Sequence, residues 1–111
     1  MESALAKLVV MYKTPKDIAA FDRYYFDKHL SIAWKIPGLR KYEVSRGPVF
    51  NPAGPSGVHL VATLTFDDLA AIQAAFASPE GQATAADVQT FATGGVEMVF
   101  FDNRTLDNPA L

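Results

Sequence analysis

Three apolar segments of strand length constrain the fold of this chain more than any other feature of its sequence. They are KLVVMYK at residues 7–13, VHLVATLTF at residues 58–66 and VEMVFF at residues 96–101. Side chains alternate between the two faces of a strand, so segments with so few polar residues predict strands that are covered on both faces. Any fold of this chain must therefore bury two sides of a sheet.

A helix is predicted between the first strand and the second. Thr14 is a candidate cap, Pro15 suits the first helical position, and Pro37-Gly38 ends the helix. Apolar side chains recur at helical spacing along this segment and predict one inward stripe: Ile18, Phe21, Tyr25, His29 and Ile32. We therefore expect His29 to point toward the sheet.

The rest of the chain adds a short strand, a loop and two helical segments. Residues 39–47 predict the second strand, with Lys41 and Glu43 facing solvent. Residues 48–57 hold three prolines and two glycines, which is typical of a connecting loop. Asp67 is a candidate cap for the helix that follows the third strand, and a further helix begins after Ser78 and ends before the last strand.

The element order strand-helix-strand-strand-helix-strand predicts the α+β class. Right-handed crossovers give a ferredoxin-like βαββαβ sandwich, with an antiparallel sheet and both helices on one of its faces. A single domain is expected over residues 1–111. The other sheet face then exposes Val9, Met11 and further apolar side chains, which a monomer rarely tolerates. Two copies stacked through that face form a homodimer, a dimeric α/β barrel.

Composition excludes several classes of partner and cofactor. The formal net charge of −2 provides no positive field for nucleic acid or an anionic membrane surface. The absence of cysteine removes disulfides, thiolate metal sites and a cysteine nucleophile. The N-terminal segment lacks the basic start and continuous apolar core of a signal peptide, and no apolar stretch approaches the roughly 20 residues of a membrane span. A cytoplasmic protein is expected.

The two histidines are the first candidates for chemistry. On an inward stripe, a neutral His29 is suited to take or give a proton near neutral pH, and the alternative is a core histidine satisfied by a backbone carbonyl. His59 begins the third strand on the face of Val61 and Thr63, where it either lines the same cavity or lies at the strand edge. No HExxH motif or two-histidine-plus-carboxylate spacing is present, so no metal is expected.

Aromatic and basic residues are weaker candidates for ligand binding. The four tyrosines and Trp34 are suited to hydrogen-bond or stack on an aromatic ligand, although such residues also make ordinary core contacts. Tyr25 is preferred over Tyr24, which falls off the inward stripe. Arg46 at the end of the second strand either holds a substrate carboxylate or pairs with a surface acid. Nucleotide-binding and serine-hydrolase motifs are absent.

Two long segments of the chain closely resemble the EthD family of dimeric α/β-barrel proteins. They are YYFDKHLSIAWKIPGLRKYEVSRG and VHLVATLTFDDLAAIQAAFASPEGQATAADVQTFATGGVEMVF. The matching features include the tyrosine pair, His29, the Pro-Gly helix end, Arg46-Gly47, His59 and the Ser-Pro-Glu-Gly segment. Where relatives carry proline two residues after the histidine, this chain has Ser31, which predicts a straighter helix near His29.

The resemblance implies a ferredoxin-like homodimer, in a superfamily whose members look like cofactor-free isomerases, cyclases and monooxygenases. From it we expect an enzyme of oxidoreductase or isomerase type without a tightly bound cofactor, acting on a small hydrophobic or aromatic molecule. His29 would be the catalytic acid/base, with Tyr25, Trp34, His59 and Arg46 as substrate-binding residues. The alternative is a non-catalytic accessory protein that binds a hydrophobic metabolite or a partner enzyme. Either histidine is also suited to ligate a haem, which dimeric barrels elsewhere hold.

Overall fold

The protein is described by a computed structural model that covers residues 5–110. The first four residues, which begin the segment without signal-peptide features, and Leu111 lie outside the described residues. The strands are β1 (Ala6–Lys13), β2 (Lys41–Val44), β3 (Phe50–Asn51), β4 (Gly54–Pro55), β5 (Val58–Phe66) and β6 (Val96–Asp102). The helices are α1 (Ile18–Tyr24), α2 (Leu30–Ala33), α3 (Leu69–Ala77) and α4 (Pro79–Phe91), and a π-helical turn (Tyr25–His29) joins α1 to α2.

The main sheet has four strands in the order β2-β5-β1-β6, and every neighbouring pair is antiparallel. Strands β1 and β5 occupy the centre, as their continuous apolar sequences require. This arrangement is the ferredoxin-like α+β sandwich, and the predicted fold class is confirmed. Strands β2 and β6 are the two edges of the sheet.

The core lies between the sheet and the helices. Along β1, Leu8, Val10 and Tyr12 are buried while the residues between them are partly exposed. Helix α4 contributes Val88 and Phe91 to the same cluster. The alternation along β1 therefore assigns one sheet face to the helices and leaves the other face uncovered.

The first helix begins later than predicted. Asp17, rather than Thr14, is the N-cap, and its carboxylate accepts a hydrogen bond from the backbone N–H of Ala20 at 3.0 Å. A carboxylate at this position satisfies a backbone donor that would otherwise lack a partner. Ile18 consequently starts the helix, and 49% of it is exposed, so it is not part of the inward stripe.

Two further boundaries differ from the prediction. Asp68, not Asp67, caps α3 by accepting from the backbone N–H of Ala71, because Asp67 instead pairs with Arg40. Strand β2 is limited to Lys41–Val44, where it pairs with β5, and the predicted residues 45–47 fall outside it. The predicted loop at residues 48–57 contains the small β3-β4 hairpin.

The face of the sheet opposite the helices carries apolar side chains at its centre. The pairing register aligns Val9 with Thr63 on one side and with Val99 on the other, so these residues share the uncovered face. We call this surface the open face, and its apolar members are Val9, Met11, Val61, Val99 and Phe101. Val99 is 49% exposed and Phe101 is 42% exposed. No helix within residues 5–110 has the length and hydropathy needed to cross a membrane.

Candidate functional site

An enclosed cavity lies between the sheet and the helices. Its volume is about 50 Å³, which is room for one or two water molecules at about 30 Å³ each. Most of its lining is aliphatic or aromatic, and Phe76 and Met98 are two large lining side chains that are exposed to solvent. The polar side chains that line it are those of Tyr12, His29, Tyr42 and Thr84. The cavity is therefore an apolar space with a few fixed polar groups, as ligand sites usually are.

The π-helical turn directs His29 into this cavity. Phe21, Tyr25, His29 and Ala33 are all buried although they are spaced four residues apart. In an α-helix such a spacing drifts by about 40° per step. Within the turn, the backbone N–H of Leu30 donates to the carbonyl of Tyr25, five residues earlier, and this wider turn removes part of the drift. The first helix is therefore interrupted at His29 by a π-helical turn that the sequence pattern did not predict.

The His29 ring is hydrogen-bonded to a carboxylate 58 residues later in the chain. Its Nδ1 lies 2.8 Å from Oδ2 of Asp87 on α4, and the hydroxyl of Tyr24 donates to Oδ1 of the same carboxylate at 2.5 Å. Among the described residues, Asp87 is the only hydrogen-bond partner of the His29 ring. The ring face is fixed by Phe91, whose centroid is 4.7 Å away. Asp87 thus orients the imidazole and leaves Nε2 without a partner.

Burial decides the charge of His29. Loss of solvation lowers the pKa of the imidazole below its usual range, and the hydrogen bond that the ring donates to Asp87 opposes this effect only in part. The ring is therefore neutral at neutral pH. With Nδ1–H donating to the carboxylate, Nε2 carries the lone pair. The geometry presents a neutral imidazole base to the cavity.

Tyrosine hydroxyls form the second polar group of the cavity. The hydroxyls of Tyr25 and Tyr42 are 2.6 Å apart, within hydrogen-bond distance. Burial is the main cause that raises the pKa of Tyr12, Tyr25 and Tyr42 above the usual tyrosine range. These hydroxyls consequently stay protonated at neutral pH and remain available as hydrogen-bond donors.

Comparison with protein-family models matches residues 13–95 to the EthD domain. The chain belongs to the EthD family. An uncharacterized 11.0 kDa protein from the thcB-thcC intergenic region of Rhodococcus erythropolis is 38% identical over 100 residues, which cover 90% of this chain and 96% of that protein. The crystal structure of an EthD family protein from Bacillus halodurans superposes with a TM-score of 0.82 at 34% identity, covering 90% of this chain and 99% of that one.

Two more distant structures share the fold of this EthD chain. SnoaB of Streptomyces nogalater, a cofactor-independent oxygenase, has a TM-score of 0.67 at 17% identity, covering 93% of this chain and 96% of its own. A dimeric protein of unknown function with a ferredoxin-like fold from Bacteroides fragilis has a TM-score of 0.62 at 19% identity, covering 93% of this chain and all of its own. At these identities the similarity shows the fold alone.

Of the predicted site residues in this EthD chain, only His29 lines the cavity. Tyr25 is fully buried behind Tyr42 and reaches the cavity only through that hydroxyl. Trp34 is 58% exposed, and its ring packs on the outer side of Tyr42 with centroids 5.5 Å apart. The structure therefore places Trp34, which was predicted to bind the substrate, outside the cavity.

His59 and Arg46 lie together in a different place, an open groove between α1 and residues 44–60. The pairing of β1 with β5 is irregular between Tyr12 and Lys13, and at this bulge His59 turns away from the expected face toward α1. Its Nε2 lies 2.7 Å from Oδ1 of Asp22, and its ring contacts Phe21 edge-on. His59 and His29 do not converge on one cavity.

Sequence reasoning missed Asp87. Its partner His29 is 58 residues away, so no local spacing connects the two. One signal is available in the sequence: Asp87 directly precedes Val88 and is one helical turn before Phe91, two apolar residues of the inward face of α4. An acidic residue beside such a buried stripe is partly removed from water, so a hydrogen-bond partner inside the protein is expected. Residues 5–110 hold no group of three or more side chains suited to bind a metal ion.

Proposed function

We propose that this EthD chain is an acid/base enzyme that moves a proton on a small hydrophobic carbonyl or phenolic compound, with His29 as the catalytic group. The observation that carries the proposal is the orientation of His29: Nδ1 is engaged by Asp87, and the ring lines an apolar cavity. A buried histidine satisfied by a backbone carbonyl would have no need of a carboxylate. An ionisable group with a shifted pKa in an enclosed pocket is typical of catalytic sites.

The proposed step is a proton transfer to nitrogen. Nε2 of His29 takes a proton from an acidic C–H beside a carbonyl, the C–H electron pair moves toward the carbonyl oxygen, and an enolate results. The imidazolium that forms is stabilised by the carboxylate of Asp87, which is already in place. His29 then returns the proton to the same or another carbon. A phenol would react in the same way through its O–H proton.

Entry of a ligand larger than a few atoms requires the lining to move. The cavity of about 50 Å³ is bordered by Met98, which is 40% exposed on the edge strand β6, and by Phe76. Methionine side chains are unbranched and change rotamer easily. We place the entrance at these two side chains.

We propose that the enzyme works without a tightly bound cofactor. The support is the chemistry itself, because proton transfer needs only a base, an oriented substrate and a group that stabilises the resulting charge. SnoaB, which shares the fold, is described as a cofactor-independent oxygenase. A cofactor-independent enzyme therefore exists on this fold, and the proposal for the present chain is compatible with it.

We further propose a homodimer in which two open faces stack as a dimeric α/β barrel. The apolar centre of the open face, with Val99 and Phe101 nearly half exposed, is the observation that supports it. The similar protein from Bacteroides fragilis is dimeric. The cavity with His29 lies on the opposite side of the sheet, so each protomer would hold its own site.

Deuterium exchange tests the proposed activity without knowledge of the natural substrate. Butanone, cyclopentanone and acetylacetone are incubated with the protein in D₂O, and loss of the C–H signals beside the carbonyl is followed by NMR. We expect the protein to accelerate exchange for at least one compound. His29→Gln should lower the accelerated rate at least 100-fold, and Asp87→Asn about 10- to 100-fold, since a charge-assisted hydrogen bond contributes about 1.5–3 kcal/mol.

The matched control is His59→Gln. Both histidines contact an aspartate, yet only His29 lines the cavity, so the control should change the rate less than twofold. An exchange rate that survives His29→Gln would rule out the proposal. Binding of the ketones without exchange would favour the accessory binding protein instead.

A further inference from the structure

The tyrosine hydroxyls next to the cavity provide more hydrogen-bond protons than they use among themselves. The hydroxyls of Tyr25 and Tyr42 are 2.6 Å apart, so one of them donates and the other accepts. Two hydroxyls carry two protons, and the hydrogen bond between them uses one. Tyr42 lines the cavity, as does Tyr12, so a spare proton on either hydroxyl is available there.

The remaining polar side chains of the cavity cannot supply this donor. The Thr84 hydroxyl donates to the backbone carbonyl of Glu80 at 2.8 Å, and the neutral His29 offers a lone pair at Nε2. The cavity therefore presents one acceptor, on His29, and one donor, on a tyrosine. A ligand that satisfies both has an oxygen that accepts a hydrogen bond and an acidic hydrogen close to it.

Position favours Tyr42 as the donor. Tyr12 is 2% exposed and its ring contacts those of Phe21, Tyr25 and Phe91, deep in the core. Tyr42 is less enclosed, because it lies on the edge strand β2. The Tyr25 hydroxyl is fully buried and Tyr42 is its hydrogen-bond partner, so Tyr25 donates to Tyr42 and the spare proton is on Tyr42.

We propose that Tyr42, supported by Tyr25, donates a hydrogen bond to the carbonyl oxygen of the substrate and stabilises the enolate that forms on it. This inference rests on the proposed function and makes it more specific: the substrate class is an enolisable carbonyl compound. In the transition state, negative charge develops on the oxygen, and a donor that is already oriented needs no rearrangement at that moment. The proton on the adjacent carbon is transferred to Nε2 of His29, and the C–H electron pair moves to the carbonyl oxygen.

The test uses acetylacetone, whose enolate absorbs in the ultraviolet, at equilibrium and without turnover. The apparent pKa of the bound diketone is read from enolate absorbance as the pH is raised, and its binding is measured separately by NMR. The wild-type protein should lower this pKa by at least one unit relative to free acetylacetone. Tyr42→Phe should remove most of that shift, which corresponds to at least a tenfold loss in enolate stabilisation.

Tyr25→Phe is the matched variant, because it removes the other hydroxyl of the same hydrogen bond. Tyr42 keeps its own proton in that variant, so most of the pKa shift should remain. Equal losses in the two variants would show that the Tyr25–Tyr42 bond is only structural and would overturn the proposal. The same conclusion would follow if Tyr12→Phe alone abolished the shift, or if the wild-type protein produced none.

The result of the diketone experiment can be distinguished from the result of the exchange experiment on His29. Exchange kinetics with His29→Gln report the base, whereas the equilibrium pKa of the diketone reports the donor. If the protein stabilises the enolate and the His29→Gln variant still accelerates exchange, Tyr42 remains the proposed donor and His29 is not the catalytic base.

Discussion

His29 combines two properties that are seldom found together in a core residue: it is almost fully buried, and it is hydrogen-bonded to a carboxylate. Burial favours the neutral ring and the carboxylate favours the charged one, and burial dominates, since the pKa is lowered. The imidazole is thus neutral at neutral pH, and in the proposed reaction Asp87 stabilises the ring once it has taken a proton.

The lowered pKa makes folding stability depend on pH. Above the usual histidine pKa of about 6.5, both folded and unfolded chains hold a neutral His29 and the group contributes nothing. As the pH falls below that value, the unfolded chain takes up the proton first, so the free energy of unfolding decreases by up to about 1.4 kcal/mol per pH unit until the folded pKa is reached.

We therefore expect His29→Gln to show a shallower loss of stability between neutral and mildly acidic pH than the wild-type protein. Urea unfolding at a series of pH values measures the slope. His59→Gln, which keeps His29, should retain the wild-type slope. A wild-type slope in the His29 variant would contradict the assigned pKa direction.

At the scale of elements, the close approach of α3 and α4 depends on a glycine. A Cβ on Gly81 would lie 1.8 Å from the carbonyl oxygen of Ala75, a backbone atom that cannot rotate away. Gly81 also lines the cavity, so the packing of α4 against the end of α3 shapes the site.

Gly81→Ala should therefore destabilise the protein by about 1–3 kcal/mol, the usual cost of overpacking. Alanine is worth up to about 1 kcal/mol over glycine within a helix, but the clash outweighs that gain. Urea unfolding provides the measurement, with the exposed neighbour Gln82→Ala expected to stay within about 0.5 kcal/mol of the wild-type protein. An unfolding midpoint unchanged in Gly81→Ala would disprove the close contact.

The elements could be predicted from the sequence where apolar pattern alone decides them. The third strand, at residues 58–66, was predicted with the observed bounds, and the first and last differ by one residue at an end. Caps were less predictable, because Asp67 and Asp68 are both suitable and the choice depends on Arg40, which is distant in sequence. The π-helical turn was missed, since four-residue spacing does not by itself distinguish it from an α-helix.

The candidate site could be predicted only in part, because local sequence patterns do not show contacts between distant elements. Helical periodicity placed His29 on the inward face, and the structure finds it there. Asp87 reaches His29, and Tyr42 reaches the cavity, through contacts between elements far apart in the chain, which no local pattern encodes. His59 turned to the opposite side because one irregularity in register reverses the facing of a strand residue.

At the scale of the whole molecule, the open face determines the proposed assembly. Val99 pairs with Val9 at the centre of its apolar surface. A lysine placed there in each of two stacked sheets would bury unpaired charge, which costs several kcal/mol.

Val99→Lys should therefore shift the protein from dimer to monomer at micromolar concentration, as measured by sedimentation velocity. Gln89→Lys adds the same charge on the exposed surface of α4 and should leave the dimer intact. A wild-type protein that sediments as a monomer, or a dimer that survives Val99→Lys, would contradict stacking through this face.

Strand β6 has a consequence for handling the protein. It lies at the edge of the sheet, with one side of its backbone unpaired among the described residues, and its sequence VEMVFFD carries only two charges, on Glu97 and Asp102. Short segments of this kind, with high β-propensity and an available edge, readily pair with copies of themselves. Conditions that dissociate the proposed dimer, such as extreme dilution or mild denaturant, should thus favour aggregation through β6 before the core itself unfolds.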